Sequence, residues 1–181
     1  MRLFAAIDIP DDLKDALRAF VSRLRPTARI TWSPVGNLHV TTKFIGKWPA
    51  ERLDEMKTAL NSVPVSGAID IAVKGIGWFP NQRRPRVFWA GVEGGEPLRD
   101  LAQATEQAVA KLGIPMEERA YSPHLTLARI RETVSLDRLH ETLQTLPASC
   151  GFDFGSFRAT HFFLYLSAGG KYTELAGFPL E

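Results

Sequence analysis

The sequence predicts a mixed α/β fold built from two similar lobes. Helix-like and strand-like segments alternate along all 181 residues, and the same order of segments occurs twice, displaced by about 85 positions. Each copy reads strand, helix, strand, helix, strand, and no stretch rich in Pro, Gly or Ser separates the copies. We therefore expect one bilobal domain over 1–181, with repeats at roughly 1–80 and 86–158 and further strands within 159–178.

The helices are predicted from the spacing of apolar residues. Leu13, Leu17 and Leu24 recur at helical intervals after Asp11, and the helix that begins at Pro97 is followed by Gly113. The predicted helices are 11–24, 50–62, 97–112 and 135–146. The predicted strands are 2–9, 38–45, 69–78, 86–92, 123–130, 151–157, 159–167 and 172–178.

Two tetrads occupy corresponding positions in the two copies: His39-Val40-Thr41-Thr42 and His124-Leu125-Thr126-Leu127. Side chains alternate in a strand, so each His shares a face with the Thr two positions later. Two imidazoles and two hydroxyls would then line one cleft. A third His-x-Thr, at His140, follows helical spacing, in which these two residues do not share a face, and we interpret it as accidental.

This set of side chains suits metal-free phosphate-ester chemistry. One imidazole can remove a proton from a nucleophile while the other protonates a leaving oxygen, and hydroxyls can donate to charged phosphoryl oxygens. A zinc site is less favoured, because no carboxylate lies within three residues of His39 or His124. No Gly-x-Ser-x-Gly motif indicates a serine hydrolase. An isolated tetrad would more often belong to the packing, but two matched tetrads favour a site.

Composition points to a protein of a reducing compartment, which we expect to be the cytoplasm. Cys150 is the single cysteine and cannot form an internal disulfide. The apolar start, 3–9, is too short to span a membrane. The net charge of +2 does not by itself imply a polyanion partner. Arginines do crowd the predicted inter-lobe loop at Arg83, Arg84 and Arg86, and they are candidates for phosphate contacts.

The sequence resembles the 2H phosphoesterases, and within them the RNA 2',3'-cyclic phosphodiesterases, also called 2'-5' RNA ligases. The resemblance spans nearly the whole chain. Besides the two tetrads it is carried by Arg2-Leu3-Phe4-Ala5-Ala6, Ile30-Thr31-Trp32, Lys43-Phe44-Ile45-Gly46, Gly77-Trp78-Phe79-Pro80, Arg84-Pro85-Arg86-Val87-Phe88-Trp89-Ala90-Gly91 and Ser122-Pro123. Thr42 stands where the family usually has an aliphatic residue, and strand alternation turns it away from the cleft.

The resemblance implies a bilobal fold with pseudo-two-fold symmetry, in which two antiparallel sheets line a central cleft and helices lie outside. It implies hydrolysis of a cyclic phosphate at an RNA 3' end to a 2'-phosphate, and in some members the joining of tRNA halves. No metal or cofactor is expected, and we expect a monomer. By resemblance His39 is the proton donor and His124 the proton acceptor, assisted by Thr41 and Thr126. The residue types alone do not decide which His takes which role.

The repeat also indicates a pair of base-binding residues. Phe44 and Arg129 each follow a catalytic His candidate by five positions, although this odd spacing turns them off the cleft face in a regular strand. Packing in the core is the alternative role for Phe44.

Two other functions of the protein stay open. One is an esterase for a small cyclic nucleotide or an ADP-ribose cyclic phosphate, which the arginines weakly disfavour. The other is a non-catalytic RNA-binding module, which would not need two titrating groups.

Overall fold

The computed structural model describes residues 1–146 and 152–181 and confirms the mixed α/β fold. Cys150, on which the compartment prediction depends, lies outside the described residues. The helices are α1 (Asp11–Leu24), α2 (Leu53–Asn61), α3 (Gly95–Ala110) and α4 (Asp137–Thr145). The strands are β1 (Arg2–Asp8), β2 (Thr31–Trp32), β3 (His39–Lys47), β4 (Ile69–Phe79), β5 (Val87–Glu93), β6 (His124–Arg129), β7 (Asp153–Ala159), β8 (His161–Ala168) and β9 (Lys171–Pro179). The short strand β2 is the element that sequence periodicity did not predict.

The strands form two antiparallel sheets. The first sheet has the order β3-β1-β8-β9, and the second has the order β2-β6-β5-β4-β7. Each His-x-Thr strand pairs with the opening strand of its own copy, β3 with β1 and β6 with β5. The repeat that the sequence predicts is therefore reproduced in the pairing of these strands.

The sheets divide the chain differently from the predicted repeats. β4, the last strand of the first copy, pairs with β5 and β7, whereas β8 pairs with β1. β4 joins the second sheet because the short segment 80–86 connects it to β5, so that the two strands form a hairpin. The arginine-rich segment is therefore a hairpin turn within one sheet and not a loop between lobes, which corrects the sequence prediction.

Helices cover the faces of the sheets that lie away from the His-x-Thr side chains. α1 contacts β7 of the second sheet, and α3 contacts β3 of the first. Buried side chains from both sheets and from the helices form one core cluster, which includes Leu17, Val40, Phe88, Leu98 and Leu125. Burial of these apolar side chains supplies the main favourable free energy of folding. None of the helices that the structure describes is long and apolar enough to cross a membrane.

Candidate active site

Both histidines of the tetrads are held in the same way. His39 Nδ1 lies 2.8 Å from the backbone oxygen of Asn37, and His124 Nδ1 lies 2.7 Å from that of Ser122. A carbonyl oxygen only accepts hydrogen bonds, so each Nδ1 carries a hydrogen and donates it. In each ring Nε2 is therefore the nitrogen that can exchange a proton with a bound molecule.

Strand alternation places a threonine beside each histidine. Val40 and Leu125 are fully buried in the core, while the residues on either side of them are partly exposed. Thr41 therefore lies on the same side of β3 as His39, and Thr126 lies on the same side of β6 as His124. The sequence prediction of two His and Thr pairs, each on one face, agrees with this arrangement.

The two His-x-Thr strands meet where the sheets join. Tyr121 precedes His124 by three residues in the sequence. Its hydroxyl donates a hydrogen bond of 2.9 Å to the backbone oxygen of Thr41. β2 pairs with β6 at the edge of the second sheet, and a short 3-10 turn at Val35–Asn37 then leads into β3 of the first. These connections hold the two strands next to each other, so both His and Thr pairs are placed at the junction between the sheets.

Each His-x-Thr strand contains a bulge at the same position of the repeat. Ala6 and Ala5 pair with Thr41 and Lys43, so that Thr42 is the extra residue of β3. Trp89 and Phe88 likewise pair with Thr126 and Ala128, so that Leu127 is the extra residue of β6. A bulge shifts the alternation by one residue. The residue five positions after each histidine is thereby returned to the face of that histidine.

Phe44 and Arg129 are these two residues. The Phe44 ring is 68% exposed and lies 6.4 Å from the ring of Phe4, which itself lies 6.1 Å from His39. Arg129 is exposed at the end of β6 and is close enough to His124 to affect its charge. The odd spacing predicted that both side chains turn off the cleft face; the bulges make that expectation wrong. Phe44 is not a core aromatic residue.

The environment of His124 favours its neutral form. Burial lowers the pKa of His124, and the positive charge of Arg129 lowers it further. The hydrogen bond to Ser122 opposes these effects but does not reverse them. His124 is therefore suited to accept a proton near neutral pH.

Around His39 the structure places two residues that the sequence did not predict. Asp8 Oδ1 lies 3.4 Å from His39 Nε2, and the Tyr165 hydroxyl donates a hydrogen bond to the same carboxylate oxygen. Burial raises the pKa of Asp8, but the interactions with His39 and Tyr165 outweigh it, so that the pKa is lowered. Burial and the bond to Asp8 raise the pKa of Tyr165. The sequence signal for Asp8 was its place at the end of an apolar strand, on the same face as Phe4.

One aromatic ring packs against His124 and a second packs against the first. The Phe79 ring lies 5.0 Å from the His124 ring and 5.2 Å from Trp89, the neighbour of Thr126 on β5. The Trp89 indole covers Gly77, where an added Cβ would lie only 2.1 Å from a ring carbon. Gly77 is thus required by the close approach of an aromatic ring that lines the site.

The arginine-rich hairpin lies at the Arg129 end of the second sheet. The backbone amides of Arg83 and Arg84 donate to Asn81 Oδ1, which fixes the turn and leaves both side chains exposed. Arg86 is also exposed, and its backbone oxygen accepts a hydrogen bond of 2.9 Å from Ile130. The structure therefore brings Arg86 close to the residue that follows Arg129 and extends a basic surface from the site.

The two remaining histidines belong to neither tetrad. His140 is on α4 and packs against Trp78 at 5.2 Å, so its His-x-Thr pattern is helical, as the sequence predicted. His161 is exposed at the start of β8. Among residues 1–146 and 152–181, no three His, Cys, Asp or Glu side chains form a group that could hold a metal ion.

Known proteins resemble this chain over most of its length. It matches the family described as LigT like Phosphoesterase over residues 7–89 and 92–167. It is 34% identical to the RNA 2',3'-cyclic phosphodiesterase of Methanocaldococcus jannaschii, covering 92% of this chain and 91% of that one. Identity to the protein of the same name from Methanothermobacter thermautotrophicus is 32%, over 99% of both chains.

Solved structures show the same fold. A protein of Thermus thermophilus superposes with a TM-score of 0.78 at 30% identity, covering 99% of this chain and 98% of that one. E. coli LigT in complex with 3'-AMP gives a TM-score of 0.76 at 26% identity, over 99% and 97% of the two chains.

Proposed function

Because this chain belongs to the LigT-like phosphoesterases, we propose that it hydrolyses the 2',3'-cyclic phosphate at an RNA 3' end and leaves a 2'-phosphate. The observation that carries the proposal is the matched pair of histidines. Each donates from Nδ1 to the backbone oxygen two residues earlier, so that each has Nε2 available for proton transfer. A site built for binding alone has no need of two such groups.

In the proposed reaction His124 is the base and His39 is the acid. His124 Nε2 takes a proton from water as the water oxygen attacks phosphorus. The bond from phosphorus to O3' breaks, and His39 Nε2 gives its proton to the departing O3'. The hydroxyls of Thr41 and Thr126 donate to the non-bridging oxygens, whose charge grows in the transition state.

This assignment follows from a difference between the two surroundings. The lowered pKa of His124 keeps its ring neutral, as a base must be. His39 instead faces the Asp8 carboxylate, an anion that attracts a charged ring. The family resemblance assigns the same roles.

The substrate is expected to be a single-stranded RNA end. Phe44 presents an exposed ring and Arg129 a guanidinium plane on the faces of the two histidines, and single-stranded RNA is commonly bound by stacking bases on such groups. Arg84 and Arg86 are proposed to contact upstream phosphates. In the reverse direction an RNA 5'-hydroxyl would replace water and give a 2'-5' bond, which would join tRNA halves. We expect a monomer that acts in the cytoplasm without metal or cofactor.

The deciding experiment uses a short RNA that ends in a 2',3'-cyclic phosphate, incubated with the purified protein in EDTA. We expect a 2'-phosphate product, identified by its resistance to an enzyme that removes only 3'-phosphates. His39→Ala and His124→Ala should each lower turnover by about 10²-fold or more, because each removes a proton-transfer group.

His140→Ala is the matched control, since this histidine lies on α4 and packs against Trp78, away from both tetrads. Near-normal turnover in either tetrad variant would remove that histidine from the mechanism. Loss of activity in EDTA, restored by zinc or magnesium, would overturn the metal-free reaction. Hydrolysis of a cyclic mononucleotide but not of the RNA would favour the small-nucleotide alternative.

A further inference from the structure

The two halves of the site differ at the residue that faces each histidine across the ladder. Asp8 of β1 is the partner of His39 on β3, and Gly91 of β5 is the partner of His124 on β6. The pairs that follow, Ile7 with Val40 and Ala90 with Leu125, are equivalent in the same way. Asp8 and Gly91 thus occupy the same position of the pseudo-two-fold arrangement, and only one of them carries a carboxylate.

The second half cannot hold a carboxylate at this position. A Cβ on Gly91 would lie 2.4 Å from the backbone oxygen of Lys74. That oxygen is fixed by an irregularity of β4 between Val73 and Ile76, and a backbone atom cannot move aside as the end of a side chain can. The difference between the halves is therefore built into the backbone.

The first half fixes its carboxylate firmly. The Tyr165 hydroxyl donates to Asp8, and the Tyr165 ring is buried, stacked on Phe4 at 5.3 Å and 4.5 Å from the His39 ring. Lys14 of α1 also attracts the Asp8 carboxylate. A carboxylate such as that of Asp8 stabilises the positive charge of an imidazole that lies beside it.

The other groups near this cluster are few. On β9 the Tyr172 ring lies 5.9 Å from the His39 ring, and the carboxylate of Glu174 acts on Tyr165. On the opposite side of the ring, His39 Nδ1 donates its hydrogen bond to the backbone oxygen of Asn37. Asp8 is thus the charged group paired with His39 Nε2 among the described residues.

We propose that Asp8, held by the Tyr165 hydroxyl, is a positioning residue that pairs with His39 Nε2 when this ring is the proton donor, and that its absence from the other half makes the two histidines unequal. This inference rests on the proposed cyclic phosphodiesterase function. The distance of 3.4 Å is that of an ion pair and longer than a strong hydrogen bond, so the Nε2 hydrogen is not committed to Asp8 and can be given to a leaving oxygen. The Asp8 side chain is 41% exposed, so solvent reaches the carboxylate beside the His39 ring.

The test is Asp8→Asn, which removes the charge while the amide oxygen still accepts from Tyr165. We expect kcat/KM at neutral pH to fall by about 10-fold or more, and the alkaline limb of the pH profile to move to lower pH, because the acid loses its proton earlier. Tyr165→Phe should act in the same direction with a smaller effect, since it leaves the carboxylate in place but unfixed. Asp70→Asn, an exposed residue of β4 that pairs with Arg158 at 3.3 Å, is the matched control.

A second readout requires no substrate. Chemical shifts of the imidazole nitrogens report the charged fraction of each ring, and Asp8→Asn should lower that fraction for His39 and leave that of His124 unchanged. An unchanged His39 fraction, or a lower rate with an unmoved alkaline limb, would overturn the positioning role. Absence of hydrolysis by the unmodified protein would instead refute the proposed function, so the two failures are distinguishable.

Discussion

Gly77→Ala is expected to impair catalysis without touching any proposed catalytic group. Gly77 lies beneath the Trp89 indole, and an added Cβ would meet ring carbons at 2.1, 2.3 and 2.6 Å. Ordinary contact begins at 3.4 Å, so the indole would have to withdraw by roughly 1 Å or more. Overpacking of this kind typically costs about 1–3 kcal/mol of stability.

The displaced ring lies next to the site. The ring centroids of Trp89 and Phe79 lie 5.2 Å apart, and those of Phe79 and His124 lie 5.0 Å apart. A shift of the indole is therefore expected to move Phe79 and, through it, the ring of the proposed base. A misplacement of about 1 Å can lower turnover by roughly 10²-fold. We therefore expect turnover of the cyclic-phosphate RNA to fall by about 10-fold to 10²-fold.

The assay is the initial rate of hydrolysis with thermal unfolding measured in parallel, at a temperature where both proteins are folded. Gly36→Ala is the control, because its Cβ enters open space close to the other tetrad. A Gly77→Ala protein that keeps normal turnover would refute the argument that Trp89 and Phe79 position His124. A loss explained entirely by unfolding would refute it as well.

Four further predictions concern the charges and hydroxyls of the site and of the arginine-rich hairpin. Thr41→Val and Thr126→Val should each lower kcat by roughly 10- to 10³-fold, because each deletes a donor to the developing negative charge; normal rates would exclude that role. The acid limb of the kcat/KM profile should lie below the ordinary His value of 6.5, since a base with a lowered pKa stays neutral to lower pH. Arg129→Gln should move this limb to higher pH and Arg129→Lys should not, whereas an unmoved limb in the Gln variant would mean that the arginine charge does not act on His124. The double change Arg83→Ala, Arg84→Ala should weaken RNA binding and flatten its salt dependence by roughly 0.7 per lost contact, while hydrolysis of a cyclic mononucleotide stays constant; equal effects on both substrates would contradict phosphate binding by these residues.

Much of the fold could be predicted because its signals are local. α1 spans the residues that apolar spacing predicted, and the strand that carries each tetrad lies within two residues of its predicted bounds. Local periodicity could not reveal the two-residue strand β2, which exists through its pairing with β6. Nor could it reveal that β4 joins the sheet of the second copy, since strand pairing is a contact between separate segments.

The sequence by itself determined the chemical groups and their duplication: two histidines and two threonines, each pair on one face of a strand, because alternation of side chains is a property of the strand alone. Tertiary structure decided how those groups are used. The bulges at Thr42 and Leu127, which return Phe44 and Arg129 to the cleft face, depend on the register of one strand against its neighbour. The bond from Tyr165 to Asp8 joins residues 157 positions apart, and only the packing of β8 against β1 brings them together.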